Sequence, residues 1–139
     1  MGPRTITINS RTDRLITVRE FVAAAAKEFG FGEDDVSKIS LAVDEACTNV
    51  IKHAYGFDSS KSLSITVVPG KDCLEILIRD NGKGFDPSKV STPDMKEYLS
   101  HYQKGGLGVY LMKKLMDEVE YQLLPGEKNE VRLVKYLAD

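Results

Sequence analysis

Two alternating runs, Ser64-Ile65-Thr66-Val67-Val68 and Leu74-Glu75-Ile76-Leu77-Ile78-Arg79, are separated by Pro69-Gly70-Lys71-Asp72 and then Cys73. A period of two turns the apolar residues of each run toward one face, and a short connection rich in turn formers makes the pair a β-hairpin. The segment before it is helical. From about Asp13 to Phe29, Leu15, Val18, Val22 and Ala25 recur at helical spacing before Gly30 and Gly32, behind a short strand pattern at Thr5-Ile6-Thr7-Ile8. A second helix is predicted from Glu33-Asp34-Asp35, where acidic residues suit the positive end of the dipole, to about Tyr55. Its core stripe is Ile39, Val43, Ala46, Val50 and Ala54.

After the hairpin, the periodicity dissolves between Asp86 and Lys104 into Pro, Ser, Lys, Asp and scattered aromatics, a stretch that reads as a mobile lid. Leu107, Leu111 and Leu115, with Val109 and Met112, then mark a third helix after Gly105-Gly106, ending near Asp117. Two last strands, about 118–124 and 130–137, flank a turn at Pro125-Gly126.

At 139 residues the chain fits one domain, since domains cluster at roughly 100–150 residues. Hydrophobic residues at 42% give it a core, and no apolar run approaches the ~20 residues needed to span a bilayer. No charged-then-apolar leader precedes the first strand pattern, so a cytoplasmic protein without membrane contact is expected. The net charge of -2 offers no basic footprint, so no direct nucleic-acid binding is expected. Cys47 and Cys73 lack the paired spacing of zinc ligands and read as buried free thiols.

Three segments can carry chemistry. In Asp44-Glu45-Ala46-Cys47-Thr48-Asn49-Val50-Ile51-Lys52-His53, steps of four residues put Glu45, Asn49 and His53 on one helical stripe at the edge of the core. A carboxylate there can take a proton from a hydroxyl nucleophile, and a neutral amide one turn away can bind Mg²⁺ without adding charge beside phosphates. Alone, such a stripe is equally an ordinary solvated helix face. In Arg79-Asp80-Asn81-Gly82-Lys83-Gly84-Phe85, the two glycines remove side chains where backbone turns or nears a ligand, and Asp80 presents an acceptor suited to an adenine amino group. Asp-Asn-Gly is also a common turn sequence. In Lys104-Gly105-Gly106-Leu107-Gly108, glycines at a helix start expose N–H groups to which phosphate can bind, although the spacing is that of neither the P-loop nor the dinucleotide fingerprint.

In order and separation these segments resemble the N, G1 and G2 boxes of the GHKL (Bergerat-fold) ATPase superfamily: Glu45-x-x-x-Asn49, Asp80-x-Gly82-x-Gly84 and Gly105-Gly106-Leu107-Gly108. Within it the chain is most similar to the RsbW and SpoIIAB anti-sigma factor serine kinases, through Glu45-Ala46-Cys47-Thr48-Asn49-Val50-Ile51-Lys52-His53-Ala54-Tyr55 and Gly105-Gly106-Leu107-Gly108-Val109-Tyr110-Leu111-Met112. The resemblance implies an α+β, two-layer fold, with a mixed, mainly antiparallel sheet covered on one face by helices and one ATP-binding domain over 1–139. It implies that ATP is the nucleotide, with Asn49 on Mg²⁺, Asp80 on the adenine amine and Gly105, Gly106 and Gly108 along the phosphates. Gly82, Gly84 and Leu107 fall in the same boxes, and Lys104 is a candidate for a phosphate contact. Glu45 would be the general base toward a serine of an anti-anti-sigma (STAS-type) partner, and the same molecule would sequester a sigma factor. A homodimer is also implied, with the exposed side of the first helix near Arg14, Arg19 and Glu20 as a contact surface.

One departure stands out: Asn129-Glu130-Val131 occupies the place where related ATPases carry Gly-Thr near adenine, which puts the weight of base recognition on Asp80. Two other functions share the boxes. One is an ATP-responsive inhibitor that switches partners without phosphoryl transfer, and the other is a detached histidine-kinase ATPase module, which the absence of any His before position 53 disfavours.

Overall fold

The computed structural model describes residues 1–82, 106–124 and 127–138, and within 106–109 the backbone alone. Among these residues the order is β1 (Arg4–Asn9), α1 (Leu15–Phe29) behind a 3-10 turn at Thr12–Arg14, α2 (Glu33–Asn49), β2 (Ser62–Pro69), β3 (Cys73–Asp80), α3 (Gly106–Leu115), β4 (Glu118–Leu124) and β5 (Lys128–Tyr136). The expected lid at 86–104, with Lys83, Gly84, Lys104 and Gly105, lies outside the described residues, as does the Pro125-Gly126 turn.

The strands form one sheet in the order β1-β2-β3-β5-β4, and every pairing among them is antiparallel. The predicted hairpin is β2–β3, with Ile65 opposite Ile78 and Val67 opposite Ile76. These rows continue across the sheet, Ile78 to Val131 and Ile76 to Leu133. All six side chains are buried, and onto them pack Val18 and Val22 of α1, Ile39, Val43 and Ala46 of α2, and Met112 of α3. Burying a Val, Leu or Ile side chain fully is worth about 1.5–3 kcal/mol, so these rows dominate the stability of the chain. The opposite face is polar. There the Thr5 and Thr66 hydroxyls lie 2.8 Å apart, Arg79 pairs with Glu130 at 2.6 Å, and Arg132 joins Glu75, Glu118 and Glu120. A sheet with one apolar and one charged face takes its helices on one side, which gives the two layers.

Local chemistry sets the helix ends. Gly30 adopts φ +118°, and its N–H bonds back to the carbonyls of Ala26 and Lys27, which stops α1. Glu33, Asp34 and Asp35 occupy the first turn of α2. That helix does not reach Tyr55 at regular pitch: residues Val50–Ala54 form a widened π turn, with the Tyr55 N–H bonded to the carbonyl of Val50, five residues back, at 2.9 Å. In α3 Met112 is buried, as is Met116 directly after the helix, while Leu111 and Leu115 are half-buried, so the apolar stripe runs one residue off the leucines. Cys47 is fully buried and burial pushes its thiol far above the ordinary range; Cys73, expected to be buried, is only half so. No helix of the described residues is long and apolar enough to cross a membrane.

Candidate functional site

A pocket opens where α2, β3, α3, β4 and β5 meet. Its walls are apolar: Ala46, Val50 and Ala54 from α2 and its π turn, Ile78 from β3, Met112 from α3, Leu123 from β4 and Val131 from β5. Asn49, Asp80 and Asn129, from three elements, line it as well, together with Tyr121 and Glu130. An apolar slot with a few converging polar groups is the usual form of a small-molecule site.

Asn49 closes the regular part of α2. Expected at the edge of the core, it is only 3% exposed, because the π turn after it folds over it. Neither its Oδ1 nor its Nδ2 has a hydrogen-bond partner among the described residues. Leaving a buried polar atom unpaired costs about 1–3 kcal/mol, so two on one side chain mark a place where the described residues supply no partner. A neutral amide oxygen in this setting can serve as one donor to a hard cation whose other ligands come from phosphate and water.

Asp80 ends β3 directly opposite Asn129 of β5. Its Oδ1 accepts from the Gly82 N–H at 2.8 Å and from Asn129 Nδ2 at 3.0 Å. Both bonds fall on one oxygen, so the second is left for a donor in the pocket. Asn129 Nδ2 also donates to the Gly82 carbonyl at 3.0 Å, which locks the loop after β3 to the start of β5. The alternation of the sequence starts the last strand at Glu130 and so leaves Asn129 in the turn; in the structure β5 begins at Lys128 and carries Asn129 into register with Asp80.

Gly82 is held from its other side by the π turn. A Cβ there would stand 2.6 Å from the Ala54 carbonyl oxygen and 3.0 Å from the Tyr55 ring, so the residue is glycine because the loop rests on the end of α2. The Tyr55 hydroxyl ties the same corner, lying 2.6 Å from the Ser62 carbonyl and accepting from the Asn81 N–H at 3.0 Å. Gly82→Ala is therefore expected to cost about 1–3 kcal/mol, as overpacking does, and to lower the urea midpoint without changing its slope. A wild-type midpoint would mean that the loop does not bear on Ala54.

Glu45 stands one turn before Asn49, half-buried and outside the pocket lining. Burial raises its pKa above the ordinary 4.5, the neighbouring Asp44 charge adds to the rise, and Lys52 opposes it. Asp44 in turn pairs with Arg19 of α1 at 2.7 Å, so part of the proposed contact surface on α1 is engaged within the chain. His53 lies in the π turn, off the regular four-residue stripe of Glu45 and Asn49. Gly106, Leu107 and Gly108 form the first turn of α3, whose Met112 reaches the pocket. The structure thus brings Asn49, Asp80 and Gly82 to one place with the start of α3 leading toward it, while Gly84, Lys104 and Gly105 lie outside the described residues.

The family model of the histidine kinase-like ATPase domain matches residues 8–135. The serine-protein kinase RsbW of Bacillus cereus strain B4264 is 36% identical over 136 residues, covering 94% of this chain and 82% of that protein. RsbW of Bacillus mycoides strain KBAB4 is 35% identical over the same shares. A crystal structure of the RsbU and RsbW domains of a Mycobacterium tuberculosis protein superposes with a TM-score of 0.69 at 18% identity, over 99% of this chain and 32% of that longer one. That likeness speaks for the fold.

Proposed function

Because the chain belongs to the histidine kinase-like ATPase domain family, we propose that it is an ATP-dependent protein-serine kinase of the anti-sigma kind, which phosphorylates an anti-anti-sigma (STAS-type) partner and holds a sigma factor in its other state. The observation that carries this is Asn49: a buried amide with both polar atoms unpaired among the described residues, lining the same pocket as Asp80.

The residues present fit a nucleotide and its metal. Asp80 accepts from the base amine through the oxygen not engaged by Gly82 and Asn129. Ile78, Val131 and Met112 give the ring an apolar slot. Unpaired N–H groups at the start of α3 meet the phosphates. Asn49 would hold Mg²⁺ through Oδ1, and the ion would offset the charge on the transferred phosphoryl group. Glu45 takes the proton of the partner serine as its oxygen bonds to the γ-phosphorus; the bond from that phosphorus to the β–γ bridging oxygen breaks, and ADP leaves with the electron pair. A carboxylate whose pKa is raised by burial is a stronger base than an exposed one.

Incubation with γ-labelled ATP, magnesium and a STAS-type partner tests the proposal directly. Label is expected on a partner serine, in one-to-one proportion with ADP formed. Tight nucleotide binding with no label would leave a partner switch without chemistry.

A further inference from the structure

We propose that Asn129 is a base-selecting residue: its side-chain oxygen and the Asp80 carboxylate together accept the two hydrogens of the exocyclic amine of a 6-aminopurine nucleotide. This rests on the nucleotide-binding reading above and assigns one more residue to it.

The orientation of the Asn129 amide is set by its neighbours. Nδ2 lies 3.0 Å from Asp80 Oδ1 and 3.0 Å from the Gly82 carbonyl, and both of those atoms are acceptors. Only the NH₂ group can face them, because the reversed amide would set an oxygen against two oxygens. Oδ1 is thereby fixed on the other side of the amide, in a residue 2% exposed that lines the pocket, and it has no partner among the described residues. Both hydrogens of the amide are spent on the protein, so toward a ligand the side chain can accept and cannot donate. A hydroxyl at this position would do either, and would tolerate a carbonyl on the base.

Among the polar residues that line the pocket, Asp80 and Asn129 present two acceptors held together by one hydrogen bond, beside Ile78, Met112 and Val131. Two acceptors require a ligand with two donors in one place, which the amine of adenine supplies. A 6-oxopurine offers an acceptor there, and an unsubstituted purine offers nothing.

Calorimetry of the full chain with magnesium and ADP, N6-methyl-ADP and purine riboside 5′-diphosphate tests this without any variant. Affinity is expected to fall in two steps, by about 5- to 100-fold at each hydrogen removed, the range set by one buried unpaired acceptor. In Asn129→Val the first step should vanish, with ADP and N6-methyl-ADP binding within about twofold of each other, because Asp80 still finds its one hydrogen. Equal affinity of the wild-type chain for ADP and N6-methyl-ADP overturns the proposal. So does an undiminished methylation penalty in Asn129→Val, which would make Asn129 only a brace for Asp80. Binding of none of the three nucleotides overturns instead the nucleotide-site reading itself.

Discussion

Replacing Asn49 with alanine is expected to abolish magnesium-dependent ATP binding while leaving the unliganded chain as stable as before, or more so. The two effects have opposite signs for one reason. In the unliganded protein the amide is a burden, since two buried polar atoms lack partners among the described residues and each such atom costs about 1–3 kcal/mol. In the liganded protein, on the reading proposed above, the same amide would supply a contact to the metal; the described residues hold no cluster of three His, Cys, Asp or Glu that could hold a metal. Thermal melts with and without Mg·ATP check both halves at once: an unliganded midpoint at or above wild type, and loss of the ligand-induced rise. A variant that melts lower without ligand yet gains the wild-type increment with it would show that Asn49 serves the fold.

Glu45→Gln is expected to bind ATP normally and to lose about 10²- to 10⁴-fold in transfer to the partner serine, the usual contribution of a general base. The effect carries a pH signature. Because burial first, and Asp44 second, raise the Glu45 pKa above 4.5, the wild-type rate should climb as pH rises through that elevated value and then level off, whereas the residual rate of the variant should lack that limb. Stability moves the other way. A carboxyl whose pKa is higher folded than unfolded holds its proton more tightly in the native state, so its destabilising effect is absent below about 4.5 and complete above the raised value. Glu45→Gln should therefore melt higher than wild type at neutral pH and no higher under acid conditions. Single-turnover transfer measured across pH reads the first claim, and melts at the two extremes read the second.

The fold was legible wherever a period ran uninterrupted. Leu15, Val18, Val22 and Ala25 are all buried along α1, and the hairpin of Ile65, Val67, Ile76 and Ile78 pairs as its alternation requires. The three boxes were legible from their residues, because glycines and acidic side chains at those intervals are uncommon together. Asn129 was not, for a local reason: Lys128 and Asn129 are poor strand formers, and only pairing with β3 draws Asn129 into register. The depth of Asn49 was hidden as well. Helical spacing puts it beside the core, and it is the π turn, with no sequence signature of its own, that covers it.

The same turn makes chain length a determinant of this site alongside side-chain identity. Excising a single residue between Val50 and Ala54 would let the coil close to its ordinary pitch with its apolar character kept, yet the path from Asn49 to Tyr55 would be one residue shorter. The carbonyl of Ala54 would leave the shelf on which Gly82 lies. Asn49 stands on the near side of that hinge, whereas the Asp80 end of the groove leans on its far side, so the surplus residue sets the spacing between the two.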